Sequence, residues 1–380
     1  MKRTFNKTEI YVSGISNNKC NLCNGTNLIY VRNNLVCLDC KTKESDIIYY
    51  EVRNVEMKFH KLVINYPLSK IQTKASKYFV KLLDNKKDGV LYAVCGAGKT
   101  EIMLEVIQKA LNKNMRVCFA IPRKEIVKEL FERIKNHFPD TLISALYQGS
   151  YDCENSSLII CTIHQLLNFK EEFDLIIIDE VDAFPFYKND YLERLVNKAK
   201  KIDGIVFKMS ATLSNSKNMY SISRRFHEKD LDSAQIIVDN DLFERLKDIM
   251  KLTNESNRKL IIFCKSIKRT IEISRLLGIP YVTSKSTDID YILQKFRIGV
   301  YKVIASTTIL ERGITLENLD VLVYEANDKV FTYSTLIQIC GRVGRKLNDP
   351  SGNIYFLSNR YLLKFYFVNR YIRKMNGSIL

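Results

Sequence analysis

The sequence predicts an α/β chain: two tandem doubly wound parallel-sheet domains behind a small cysteine-bearing module. Three observations carry that reading. Short apolar runs alternate with amphipathic stretches from about residue 56 to 230, the same alternation restarts after about 240, and four cysteines fall in two close pairs ahead of both. Continuous apolar runs bounded by helical stretches mark strands buried on both faces of a parallel sheet.

Taken in order, residues 1–55 hold the cysteine pairs, Asn/Gly turns and short β-rich runs such as Leu28–Val31. Residues 56–230 form the first domain, with strands expected at Gly89–Val94, Val117–Ile121, Leu158–Cys161 and Leu175–Ile178. Residues 231–380 form the second, with strands at Leu260–Phe263, Val303–Ala305, Val321–Tyr324 and Ile354–Phe356. A charge-rich linker is expected around Phe226–Asp239. At 380 residues the chain is long enough for each domain to bury its own core.

Hydrophobic residues make up 46% and charged residues 27%, the balance of a soluble globular protein. No apolar run approaches the roughly 18–20 residues that span a bilayer. The basic start, Met1–Lys7, is followed by no apolar stretch or cleavage site, so no signal peptide is expected and the cytoplasm is the expected location. A net charge of +17 and a pI near 9.3 call for an acidic partner, nucleic acid first and an anionic membrane surface second. Lys, Asn and Ile are abundant throughout, which a genomic base bias also accommodates.

The run Ala93-Val94-Cys95-Gly96-Ala97-Gly98-Lys99-Thr100 follows an apolar strand and precedes the helical run Glu101–Val106. That is a phosphate-binding loop in its proper setting, with Ala in place of the first Gly. Gly96 and Gly98 let backbone N–H groups close around phosphate at a helix N-terminus. Lys99 is expected to reach the β- and γ-phosphates of ATP, and the Thr100 hydroxyl to ligate Mg²⁺. A second strand, Leu175–Ile178, delivers Asp179-Glu180-Val181-Asp182 to its carboxyl end, where such sheets place their ligands. Asp179 is expected in the Mg²⁺ shell, and Glu180 to orient or deprotonate the attacking water.

In the second half, Gln338-Ile339-Cys340-Gly341-Arg342-Val343-Gly344-Arg345 ends a helical run beginning near Phe331. Arg342 and Arg345 sit three apart, so on a helix both face one way. Set across a cleft from Lys99 they would neutralise the γ-phosphate as arginine fingers supplied in cis, an effect of about 10³–10⁵ in rate. The alternative is a basic helix that touches only nucleic-acid phosphates.

Cys20-x₂-Cys23 and Cys37-x₂-Cys40 are separated by 13 residues. Each pair forms a tight turn offering two thiolates to one tetrahedral Zn²⁺, and Asn24-Gly25 favours the first turn. In a cytosolic protein disulfides are the weaker reading. Four thiolates leave no open position, so the metal is structural. Such a module serves DNA or a partner protein, and both stay open. The other cysteines, Cys95, Cys118, Cys153, Cys161, Cys264 and Cys340, read as small buried hydrophobes. His60, His164 and His227 read as packed or solvated, with His164 given a modest claim by its surroundings.

From residue 68 onward the chain resembles the superfamily-2 helicases, whose motor is a pair of RecA-like lobes. Ser210-Ala211-Thr212 looks like the family's coupling motif, and the resemblance puts Gln338 in the same coupling role. Leu68–Gln72 resembles the adenine-reading glutamine motif, which makes Gln72 a nucleotide contact. Ala120–Glu125 and Thr162–Leu166 resemble strand-contacting motifs, which implies nucleic-acid contacts for Arg123, Thr162 and His164. Ser306–Gly313 resembles the motif touching both backbone and nucleotide, through Thr308 and Gly313. Two departures stand out: Thr315 replaces the usual Asp, leaving a ribose contact of DEAD-box RNA helicases unsupported, and the acidic motif reads Asp-Glu-Val-Asp.

The four-cysteine module ahead of two lobes, the block Asp179–Phe186 (D-E-V-D-A-F-P-F), Arg225-Phe226-His227 and Ile309–Thr315 narrow the resemblance to the ComFA family of late-competence helicase-like ATPases, over residues 20 to about 357. That resemblance implies a single-stranded-DNA-dependent ATPase that helps draw transforming DNA through a membrane channel, with partners in the competence machinery and a possible place at the inner membrane face. The rival readings are another superfamily-2 helicase (replication restart, repair or RNA) and a non-hydrolysing ATP-binding scaffold.

Overall fold

A computed structural model describes residues 8–52, 59–94, 96–147, 156–182, 185–211, 217–225, 229–311, 316–345 and 348–377. The chain divides into two compact units, residues 1–92 with 99–221, and residues 93–98 with 222–380.

The N-terminal module is built from short antiparallel pairs. Strand β1 (Thr8–Ser13) pairs with β6 (Ile47–Val52), β2 (Ile15–Ser16) with β3 (Lys19–Cys20), and β4 (Leu28–Val31) with β5 (Asn34–Cys37). Asn17, Asn18, Arg32 and Asn33 take positive φ in the two tight hairpin turns, a conformation that asparagine tolerates better than most side chains. The module is no separate bead. Ile15, Cys20, Cys23, Leu35 and Cys37 share one buried cluster with Leu192, Leu195 and Val196 of the first sheet's helical cover.

Next come α1 (Lys70–Asp84), β7 (Gly89–Ala93), α2 (Lys99–Asn112), β8 (Val117–Ile121), α3 (Lys124–His137), β9 (Ile143–Leu146), β10 (Leu158–Thr162), β11 (Phe173–Ile178), α4 (Asp190–Ala199), β12 (Lys200–Ser210) and β13 (Met219–Ile222). Among the described residues the sheet runs β13-β7-β12-β11-β8-β10-β9, and the pairs from β7 to β9 are parallel. Strands β7, β8 and β10 are buried at every position, as strands covered on both faces must be. Helix α1 starts at Ser69 because of a reciprocal capping box: the Ser69 hydroxyl accepts from the Gln72 N–H, and Gln72 Oε1 accepts from the Ser69 N–H at 2.9 Å.

The second unit holds β14 (Gln235–Val238), α5 (Leu242–Glu255), β15 (Lys259–Phe263), α6 (Ile267–Leu277), β16 (Tyr281–Val282), α7 (Ile289–Arg297), β17 (Val303–Ser306), β18 (Leu319–Val323), α8 (Tyr333–Cys340), β19 (Ile354–Ser358) and α9 (Leu363–Met375). Its sheet runs β14-β19-β18-β15-β17-β16, all parallel. Helix α6 shows why these boundaries fall where they do. The Ser266 side chain caps its start, and Gly278, at φ 64°, ends it in the left-handed conformation.

These are two RecA-like parallel-sheet domains, as expected. Two details differ. The segment read as linker carries an edge strand, β14, whose apolar run Ile236-Ile237-Val238 pairs with β19; residues 226–228 lie outside the described residues. Arg342 and Arg345 are not on a helix: α8 ends at Cys340, and Gly341–Gly344 form turns closed by Arg342 N–H to Ile339 O at 3.0 Å. Among the described residues no helix is long and apolar enough to cross a membrane.

Candidate nucleotide and nucleic-acid site

Strand order decides which side chains meet. In the first unit the carboxyl ends of β12, β11, β8 and β10 stand side by side, about 4.8 Å per strand. Along that edge lie Ser210 at the end of β12, Asp179-Glu180 after β11, Arg123 two residues past β8, and Thr162 at the end of β10. Strand β12 also pairs with β7, the strand that leads into the glycine loop, with Ser210 opposite Tyr92. The coupling candidate therefore lies between the loop's strand and the acidic strand, and the nucleic-acid candidates lie on the far side of the acids.

In the glycine loop, Gly96 and Gly98 take φ of 84° and 75°, the left-handed geometry that phosphate-binding turns use, and Ala97 N–H between them closes the turn onto Val94 O at 3.1 Å. Lys99 and Thr100 open α2, so the helix N-terminus adds its partial positive charge. Thr100 is buried and Lys99 half-buried. Cys95 lies outside the described residues.

Asp179 and Glu180 are both half-buried. Asp179 N–H donates to Ala120 O at 3.0 Å, and its Oδ1 accepts from the Glu180 N–H at 2.8 Å. Val181 N–H donates to Met209 O at 3.1 Å. Pinned on both sides, Glu180 takes φ 56°, a left-handed conformation that costs a non-glycine residue about 1–2 kcal/mol. Strain held by surrounding hydrogen bonds is a mark of functional positions. The donor set of a loop amide nest, a helix N-terminus, a threonine hydroxyl and an aspartate fits ATP with Mg²⁺: Gly96, Gly98 and Lys99 would hold phosphate, and Thr100 and Asp179 the metal.

Gln72 is buried, and its Oε1 is occupied in the capping box of α1. Ser210 and Ala211 are buried at the end of β12; Thr212 lies outside the described residues, as does Gly313 with Arg312, Ile314 and Thr315. Arg123 is the N-cap residue of α3, and Thr162 that of a 3₁₀ turn over Ile163–Asn168, and neither side chain bonds to its own helix start. His164 projects from that 3₁₀ turn, exposed. His60 is packed, its Nδ1 2.9 Å from Thr141 Oγ1; His227 lies outside the described residues.

In the second unit, Thr308 begins a short 3₁₀ turn after β17 and is half-buried. Gln338 is buried on α8, and its Oε1 finds no hydrogen-bond partner among the described residues. Arg342 is buried, whereas Arg345 is half-buried with Nε donating to Gly341 O at 2.8 Å. Arg225, quoted from the sequence only as part of a signature, is 1% exposed. Nothing in a sequence marks one arginine among many as buried.

The four cysteines converge. Cys20 and Cys40 sulfurs are 3.5 Å apart, Cys23 and Cys37 sulfurs 3.5 Å, and all four lie within 4.8 Å of one another. Four sulfurs about 2.3 Å from one tetrahedral zinc stand about 3.8 Å apart, so the set fits. The two turns are alike: Asn24 and Lys41, each just after a pair, take φ of 58° and 67°, and their N–H groups donate back to Cys20 O and Cys37 O. Hydrogen bonds from the Cys23 and then the Cys40 thiol lower the pKa of Cys20, the direction that metal ligation needs. Beside them, Arg194 of α4 pairs with Asp39.

Residues 65–215 match the family described as type III restriction enzyme, res subunit, and residues 241–346 the helicase conserved C-terminal domain. The chain is 34% identical to competence protein ComFA of Streptococcus pneumoniae over 84% of its own length and 80% of that protein's. It is 31% identical to competence protein ComFA of Bacillus subtilis, over 94% and 85%. Among solved structures, Saccharomyces cerevisiae Dbp5 bound to RNA and ADP BeF3 superposes with a TM-score of 0.63 at 20% identity, covering 82% of this chain and 88% of that one. That likeness concerns the fold.

Proposed function

This chain belongs to the ComFA family, and from that premise we propose that it is a nucleic-acid-stimulated ATPase, a helicase-like motor that pulls single-stranded DNA during DNA uptake in natural competence. The observation that supports it best is the row of chemistry on one sheet edge: Lys99 and Thr100 at the head of α2, then Ser210, Asp179-Glu180, Arg123 and Thr162 on neighbouring strand ends. In this reading Lys99, Thr100 and Asp179 hold ATP and Mg²⁺, with Gln72 and Gly313 on the nucleotide, and Glu180 directs water at the γ-phosphate. Arg342 and Arg345 offset the charge that develops there. Ser210, Ala211, Thr212 and Gln338 couple nucleotide state to grip, and Arg123, Thr162, His164 and Thr308 hold the strand by its backbone. The motor works in the cytoplasm, at the inner face of the membrane, beside proteins of the uptake channel.

The cysteine quartet holds a structural Zn²⁺. Of its two open partners a protein is the better supported. Residues 1–55 carry eight Lys/Arg against five Asp/Glu, a net +3 of the chain's +17, so the module holds about its share by length and does not concentrate the charge that backbone binding uses. Replacing Tyr30, 75% exposed on β4, with Ser then leaves single-strand affinity unchanged; a loss would return the module to DNA.

The test is phosphate release from ATP with no nucleic acid, single-stranded DNA, duplex DNA or RNA. Stimulation by single-stranded DNA is expected, and Lys99→Ala abolishes it. If about six phosphates are held, log K falls against log salt with slope near about −4. A preference for RNA discards the competence role, and no turnover under any condition leaves an ATP-binding scaffold.

A further inference from the structure

Among the described residues Arg225 is the fully buried arginine beside the glycine loop that the proposed chemistry does not use. It lies in the second compact unit together with the loop residues 93–98 and the segment 341–345. Its Nη1 donates to the Gly344 carbonyl at 2.5 Å. Its side chain runs along the loop: a methyl group added at Gly96 would stand 3.6 Å from Cγ, Cδ and Nε of Arg225. A methyl at Gly344 would stand 2.6 Å from Nη1. Gly96 and Gly344 both take positive φ, 84° and 65°, a conformation that favours glycine; at Gly344 the missing side chain also leaves room for Nη1 on the backbone, whereas at Gly96 the arginine lies at ordinary van der Waals distance.

Burying a guanidinium carries a heavy desolvation cost, and an apolar side chain would fill the same space without it. The charge is kept where two elements of the nucleotide chemistry meet one side chain. One contact is the loop turn at Gly96, and the other is the turn carrying Arg342 and Arg345. Arg's rigid planar fork suits that task, since it fixes direction as well as charge.

We infer that Arg225 is a positioning residue for ATP hydrolysis, tying the phosphate-loop turn at Gly96 to the Gly341–Arg345 turn and thereby fixing where the two arginines stand relative to the phosphates. The inference rests on the reading of the chain as an ATPase. A displacement of about 1 Å in such a constellation costs on the order of 10²-fold in rate.

The experiment uses the full chain with zinc, a single-stranded oligothymidylate as the activating strand, and three variants: Arg225→Met, Arg225→Lys and Lys99→Ala. Steady-state turnover gives kcat and KM, and a fluorescent ATP analogue gives nucleotide affinity separately. Arg225→Met is expected to lower kcat by roughly 10²-fold with affinity for the analogue retained. Arg225→Lys restores part of kcat, because it keeps the charge without the fork. Wild-type kcat in Arg225→Met overturns the inference. So does a proportional loss of affinity, melting temperature and kcat that Arg225→Lys does not relieve, since that marks a residue needed only for folding. An inactive wild-type chain removes the ATPase reading and the inference with it; an active one matched by Arg225→Met removes the inference alone.

Discussion

Arg194 of α4 reaches Asp39 of the cysteine module, Nη2 to Oδ2 at 2.5 Å, and the two bind the module to the first sheet's helical cover. Beneath this pair Ile15, Leu35 and the buried cysteines pack in one cluster with Leu192 and Leu195. A zinc ion held by the four cysteines would therefore support more than its own turns. Removing it with a strong chelator, or by Cys37→Ser, is expected to expose α4, at a cost of about 3–6 kcal/mol for the two leucines together. Amide hydrogen exchange read along α4, alongside zinc stoichiometry, checks this. Unchanged protection of α4 after the metal has left would mean that the module hangs on by the rim pair alone.

Gln72 has a task in the structure besides the nucleotide contact implied by family resemblance: its Oε1 accepts from the Ser69 N–H and closes the capping box of α1. Gln72→Ala should lower stability by about 1 kcal/mol, the usual worth of a cap. Gln72→Glu keeps an acceptor for the cap but replaces the amide's N–H donors. A rise in KM for ATP in both variants supports adenine recognition. A melting shift in Gln72→Ala with unaltered KM in both leaves Gln72 as a cap.

Much of this architecture is legible because it is local or periodic. The glycine loop and the continuous apolar strands each declare themselves within about ten residues, and the cysteine spacing within about twenty. Strand β12 does not: although it lies inside the sheet, it begins with the exposed, largely polar run Lys201-Ile202-Asp203, and only from Ile205 onward does it enter the core. Strand β14 is hidden for the same reason, a short apolar run among charges. The seating of the module on α4 is illegible too, since Leu192 and Leu195 look like any amphipathic helix until their partner is seen. Arg225 is the extreme case. Its role depends on burial and on two glycine backbones more than a hundred residues apart in sequence, for which no residue pattern is a signal.

Asp84 closes α1 onto α2 through Lys109 Nζ at 2.6 Å and Lys113 Nζ at 2.7 Å. The hydrogen bonds from Lys109, then Lys113, hold its carboxyl below the ordinary Asp value. A depressed carboxylate contributes stability above its unfolded pKa and loses it as pH falls through the folded one. Because the groups are more than a third exposed, Asp84→Asn should cost no more than about 1 kcal/mol near neutrality. The deficit should fade as pH drops below the ordinary Asp value and through the lowered one, and shrink in high salt. Paired melts of wild type and variant across pH decide it; a deficit independent of pH would assign the effect to packing.

Glu180 offers a way to separate chemistry from folding at one position. Its backbone is held at φ 56° by the Asp179 carboxylate on one side and the Val181–Met209 hydrogen bond on the other. Glu180→Gln keeps shape and size, so it should leave the melting temperature in place while kcat falls about 10²–10⁴-fold, the usual reach of a general base. Glu180→Gly goes further. It removes the left-handed strain and should be the more stable protein by up to about 1–2 kcal/mol, yet just as inactive. Single-turnover hydrolysis and thermal melts on the same preparations test both halves. If the Glu180→Gly protein still hydrolyses ATP at the wild-type rate, the water-directing role passes to another acid, with Asp182 next in line. If it is inactive but less stable, the Glu180 side chain makes native contacts whose worth exceeds the strain.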